Sequence, residues 1–187
     1  TLTSISKEAF YVSAETVIFP EGIADLAAYA GEGFTSCYGQ VVRIPAAALT
    51  RPKVGAWAYD VSEDNPKFWS DEHGSLYSNQ CDSGAMQSDD KHAILISLSQ
   101  QSYYPSDGVL TLPEGCKGMG YNIINNNNHN ITKIVLPSTF VGIEDRATKW
   151  WDPGIWEQLG SLVDIEVSPA NPYLMSEDGI LYSKDGT

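Results

Sequence analysis

Val61 to Ser78 reads VSEDNPKFWSDEHGSLYS, and Val167 to Ser183 reads VSPANPYLMSEDGILYS. The two stretches share Val-Ser, Asn-Pro, Ser, Gly and Leu-Tyr-Ser in the same order, with one extra residue before the glycine in the first copy. A duplication this specific in 187 residues calls for a search for a longer period.

That period lies upstream of each copy. VIFP ending at Pro20, VVRIP at Pro45, VLTLP at Pro113 and KIVLP at Pro137 each set apolar residues one and three positions before a proline. The pairs are Val17 and Phe19, Val42 and Ile44, Leu110 and Leu112, and Ile134 and Leu136. Apolar residues at every second position mark a strand with one face buried, and proline ends it by fixing φ and removing an N–H. Two further segments fit with serine in the proline slot: Tyr59-Asp60-Val61-Ser62 and Ile165-Glu166-Val167-Ser168. Each half of the chain therefore runs strand, strand, strand, then the Asn-Pro stretch. Pro20 to Pro113 is 93 residues and Pro45 to Pro137 is 92, but Ser62 to Ser168 is 106. The excess falls in RATKWWDPGIWEQLG, Arg146 to Gly160. After Asn171-Pro172 the spacing predicts a β-hairpin turning at Glu177-Asp178-Gly179, because Asp-Gly suits tight turns that need positive φ.

ITKIVLPSTFVGIEDRA (Ile131 to Ala147), LTSISKEAF (Leu2 to Phe10) and NPYLMSEDGILYSKDGT (Asn171 to Thr187) resemble the BspA-type leucine-rich repeats of bacterial surface proteins. The usual form of these is LxxIxIPxxVxxIxxxAF, sometimes followed by an Asn-Pro…Asp-Gly…Leu-Tyr…Lys-Asp-Gly-Thr hairpin. The resemblance covers most of the chain. It implies a leucine-rich repeat solenoid whose short parallel strands stack in one curved sheet. The convex side is then irregular or short-helical, and a β-hairpin annex follows every third strand. The whole of 1–187 is read as one solenoid fragment of two related units, about 1–100 and 101–187, with the family pattern expected to continue at both ends. The function implied is a non-catalytic binding or adhesion module, outside the cell or on a bacterial cell surface, for a host or microbial surface protein.

Composition narrows the alternatives. The formal charge of −13, from 11 basic and 24 acidic residues, repels phosphate backbones, and no Lys/Arg cluster overrides it. The longest apolar runs fall far short of the roughly 20 residues that cross a bilayer as a helix. Nucleic acid and membrane insertion are both disfavoured for this segment. Cys37, Cys81 and Cys116 form no CxxC, and an odd count leaves at least one thiol unpaired, with a single bridge open.

Few residues carry catalytic patterning. His73, His92 and His129 fall in turns or polar loops with no HxxxH or HExxH spacing, and no serine lies in a GxSxG elbow. No cofactor and no metal are expected. The acidic groups Asp60, Glu63, Asp64, Asp71, Glu72, Asp82, Asp89 and Asp90 read as a solvated edge, since their spacing matches no EF-hand loop. A hydrolase stays only a remote option. Asn79 to Lys91 (NQCDSGAMQSDDK) replaces what is a mere turn in the other copy and is expected to lack regular structure.

Two sets of residues remain as ligand-binding candidates. The outward position of each strand is Ile18, Arg43, Asp60, Thr111, Val135 and Glu166, a mixed row that folding does not require. Trp150, Trp151 and Trp156 put three of the five tryptophans within seven residues of the inserted segment. They either plug the convex side or form an aromatic patch, and the patch makes a carbohydrate-binding module the alternative reading.

Overall fold

The computed structural model describes residues 13–30, 38–52, 55–100, 105–120, 123, 130–144 and 159–185. The chain divides into two compact units. One is Thr1–Tyr77 with Ser99–Gln101, and the other is Ser78–Leu98 with Ser102–Thr187.

In the first unit β1 (Ser13–Ile18), β2 (Tyr38–Ile44) and β3 (Gly55–Val61) form a parallel three-stranded sheet in chain order. Ser13 pairs with Tyr38 and Tyr38 with Gly55, so the repeat is 25 residues long, then 17. The alternation read from sequence sets which side is buried: Val17, Phe19, Val42, Ile44 and Tyr59 all lie in the core. Fully burying an aliphatic side chain contributes about 1.5–3 kcal/mol, so a slip of one residue, which would bury Arg43 and Asp60 instead, is strongly disfavoured. A short helix, α1 (Leu26–Ala30), follows β1. Its start is held by Asp25, whose Oδ1 accepts from the Ala28 N–H and from the Thr50 hydroxyl one repeat later. These bonds, the Ala28 one foremost, hold the Asp25 carboxyl below its usual range.

In the second unit β7 (Val109–Thr111), β9 (Lys133–Leu136) and β11 (Asp164–Val167) make the equivalent sheet, parallel and in the order β7-β9-β11. Leu110, Leu112, Ile134, Leu136, Ile165 and Val167 face the core. A further set of short strands pairs in parallel: β6 (Ile94–Ser97), β8 (Gly118–Met119) and β10 (Gly142–Ile143). The offset is 24 residues from Ile94 to Gly118, from Gly118 to Gly142 and from Val109 to Lys133. From Lys133 to Asp164 it lengthens to 31, across the inserted segment. Hydroxyl and carboxylate bonds tie successive turns together: Glu114 accepts from the Ser138 N–H and hydroxyl, and Thr139 Oγ1 accepts from the Gly115 N–H and donates to the Cys116 carbonyl.

The repeated Asn-Pro stretch forms β4 (Phe68–Ser70) and β5 (Leu76–Ser78) in the first copy, and β12 (Leu174–Glu177) with β13 (Ile180–Ser183) in the second. β12 and β13 are antiparallel around Asp178 and Gly179, whose φ values of 50° and 78° are those of a tight hairpin turn. Each copy folds back onto the strand before it. The Gly74 carbonyl accepts from the Tyr59 N–H at 2.8 Å, and the Gly179 carbonyl accepts from the Ile165 N–H at 3.0 Å. Ser70 Oγ takes the Val61 N–H, and Ser176 Oγ takes the Val167 N–H.

This arrangement corrects the expectation of one sheet of six strands. The free edges of β3 and β11 are occupied by their own hairpins, so the strands form two sheets of three. Among the described residues no sheet closes into a barrel. The segment Asn79 to Lys91 carries no helix or strand, as expected, but backbone bonds order it. Cys81 N–H donates to the Met86 carbonyl, Ser88 N–H donates to the Asn79 carbonyl, and Gln80 bridges Gln87 in antiparallel fashion. The buried Cys81 sulfur also accepts the Met86 N–H. The loop is thus pinned near its start by a buried thiol, a local role that its polar composition conceals.

Candidate binding face

The outward strand positions are aligned by the register of each sheet. In the first unit Ile18 pairs with Arg43 and Arg43 with Asp60. Ile18 is 63% exposed, and Arg43 Nε lies 3.0 Å from Asp60 Oδ2, with both side chains more than half exposed. Beside them is a shallow recess of about 180 Å³, lined by Ile18, Glu21, Arg43, Asp60 and Ser62 among others. An exposed pair of this kind contributes little to stability, about 0–1 kcal/mol, because water screens it and both side chains lose rotamer freedom. A guanidinium fork of this kind can pair with a carboxylate in two-pronged fashion, and here it has an apolar neighbour and a carboxylate of its own.

In the second unit Thr111 pairs with Val135 and Val135 with Glu166. Thr111 and Glu166 are exposed and Val135 is half-buried. Lys133, two residues before Val135, was not among the candidates. Its Nζ lies 2.7 Å from Glu166 and 3.0 Å from Asp164. Bonds to these carboxylates, Glu166 first, hold the Lys133 ammonium above its usual range. The signal was present in the sequence, since residues at matching repeat positions are neighbours across a parallel sheet, and Lys133 and Asp164 are so matched. The exposed Trp57 on β3 was likewise missed.

Trp150, Trp151 and Trp156 lie outside the described residues, as do His129 and Cys37. The other candidates for chemistry take structural parts. Asp71 Oδ1 accepts from the His73 and Ser75 N–H groups and closes the β4–β5 turn. Asp90 Oδ1 accepts from the His92 N–H and meets the His92 ring. The backbone bond is the larger cause that holds the Asp90 carboxyl below its usual range. Cys81 and Cys116 are free thiols, and burial pushes the Cys116 thiol up to about 11. Among the described residues no three His, Cys, Asp or Glu side chains gather as a metal site, and no helix is long and apolar enough to cross a membrane.

No family model matches the chain, and no curated protein matches it. Among solved structures it is similar to a leucine-rich repeat protein from Eubacterium ventriosum, at 12% identity with a TM-score of 0.39. The match covers 72% of this chain and 38% of that one.

Proposed function

We propose that the chain is part of a leucine-rich repeat solenoid of the BspA type, acting as a non-catalytic binding module of a secreted or cell-surface bacterial protein. Its ligand is a surface protein, taken on the outward strand row. The observation that carries this reading is the alignment of Ile18, Arg43 and Asp60 across three parallel strands. Parallel strands paired in register present such a row as a continuous strip, which is how repeat arrays commonly make extended binding surfaces. The 24-residue offsets in the second unit lie within the leucine-rich repeat range.

The test is a binding screen of the purified chain against immobilised extracellular-matrix and serum proteins, with a glycan panel in parallel. The reading expects a protein ligand whose binding falls at least tenfold with Arg43→Glu and with Glu166→Lys, while the urea midpoint barely moves. Binding of glycans alone, or a protein ligand indifferent to both substitutions, would overturn it.

A further inference from the structure

The loop Asn79 to Lys91 is seated on the parallel strands of its own unit through Met86. A Cβ built on Gly118, in the middle strand β8, would lie 2.0 Å from the Met86 methyl carbon and 3.1 Å from its sulfur. The thioether therefore fills the space that any side chain at position 118 would need. Methionine suits such a gap, being unbranched and polarisable. A second tie lies nearby, where Lys117 Nζ donates to Ser88 Oγ at 3.1 Å.

Met86 is also the residue that holds Cys81. Its carbonyl accepts the Cys81 N–H at 3.1 Å, and its N–H donates to Cys81 Sγ at 3.1 Å. The Ser83 hydroxyl lies 3.4 Å from the same sulfur. Cys81 is buried, whereas Met86 is half-buried and so within reach of a small solute. The other two methionines differ: Met119 is buried in β8 itself, and Met175 is 40% exposed. A reachable thioether is thus packed on a bare stretch of strand and bonded through its own backbone to a shielded thiol.

We propose that Met86 is an oxidation-sensitive latch: its conversion to the sulfoxide by a peroxide frees the loop from Gly118 and uncovers the Cys81 thiol. The sulfur lone pair takes one oxygen from the peroxide, the O–O bond breaks, the sulfur is oxidised and the peroxide leaves reduced, as water or an alcohol. The product fits poorly over Gly118. A sulfoxide oxygen is a hydrogen-bond acceptor, but the Gly118 N–H is already given to the Ala93 carbonyl at 3.1 Å. The Gly142 carbonyl oxygen, 3.0 Å from the same Cβ position, is itself an acceptor. Two acceptors repel, and a buried polar group without a donor is costly. Withdrawal of the side chain moves the Met86 backbone and with it both bonds to Cys81. The latch is separate from the outward strand row and stands or falls independently of it.

The test uses the Met175→Leu protein, so that the exposed methionine consumes no oxidant. It is treated with hydrogen peroxide, quenched with catalase and labelled with iodoacetamide at pH 8, with mass spectrometry of each peptide as the readout. The expected result is one added oxygen on Met86 and labelling of Cys81 that is about tenfold faster, while Cys116, with no solvent exposure, stays unlabelled. Methionine sulfoxide reductase should restore slow labelling, and Met86→Leu on the same background should keep Cys81 slow with or without peroxide. Met86 left unoxidised by a dose that saturates Met175 in the parent protein would overturn the proposal. So would Cys81 labelling unmoved by the sulfoxide, or a response to peroxide that persists in Met86→Leu. An equal rise at Cys116 would overturn it as well, because the change would then be general unfolding and not release of the loop.

Discussion

The side-chain amide of Asn171 donates to the Phe140 carbonyl at 2.7 Å, from a position with no solvent exposure. The same Nδ2 donates to the Pro137 carbonyl at 3.1 Å, and Oδ1 accepts the N–H groups of Tyr173 and Leu174. Asn65 repeats the arrangement with the carbonyls of Pro45 and Ala48 and the N–H groups of Lys67 and Phe68. One buried amide therefore locks the turn after a strand's proline to the start of the hairpin that follows the next strand. The asparagine of the duplicated motif is a structural lock.

Removing either lock takes the partner from one carbonyl and two N–H groups of a closed site, while the proline carbonyl keeps the N–H of Phe140 or Ala48. Each buried unsatisfied group costs about 1–3 kcal/mol, with some relief where water enters. Asn171→Ala and Asn65→Ala are expected to destabilise by about 3 kcal/mol or more in urea unfolding. A loss under about 1 kcal/mol would show that the amide is incidental.

The glycines sort by geometry. Gly74 has φ +83°, and a Cβ there would lie 2.4 Å from Ala58 Cβ. Gly179 has φ +78°, and its Cβ would meet the Val163 carbonyl at 3.0 Å. Gly142 has neither constraint. Left-handed backbone costs an L-residue roughly 1–2 kcal/mol before any clash. Gly74→Ala should therefore be the most damaging, Gly179→Ala intermediate and Gly142→Ala within about 0.5 kcal/mol of the parent. Thermal melts of the three variants check the order.

Burial of Cys116 links stability to alkaline pH. Its thiol is raised from 9.0 to about 11, so the unfolded chain ionises first. The stabilising preference for the protonated thiol is whole below pH 9 and is lost as pH rises through about 11. Roughly 2–3 kcal/mol should disappear across that window, at 1.36 kcal/mol per pH unit. Cys116→Ala should flatten the slope between pH 9 and 11, measured by urea midpoints, and an unchanged slope would assign it to other groups. By the same burial, native Cys116 should resist iodoacetamide at pH 8 and react once unfolded.

Much of the strand frame was legible in the sequence, because a proline one residue after an alternating run marks both the end of a strand and its buried face. Val42, Ile44, Ile134 and Leu136 fall where that pattern puts them, each at most 1% exposed. The row Ile18, Arg43, Asp60 was legible for the same reason. The split into two sheets was not, because it depends on Gly74 and Gly179 returning to Tyr59 and Ile165 across 15 and 14 residues, pairings that no local propensity encodes. The strands at Gly118–Met119 and Gly142–Ile143 were missed because two residues are too few to show a period. The order around Cys81 was hidden because a sulfur acceptor leaves no mark in a polar loop.

Each hairpin closes the edge of the last strand of its sheet, and amide hydrogen exchange reads that directly. The N–H groups of Tyr59 and Ile165 are held by the Gly74 and Gly179 carbonyls at 2.8 and 3.0 Å. Both should exchange as slowly as the amides of the inner strands β2 and β9, with protection that falls together in Asn65→Ala and Asn171→Ala respectively. Exchange of Tyr59 and Ile165 at the rate of open-edge amides, in the parent protein under native conditions, would contradict it.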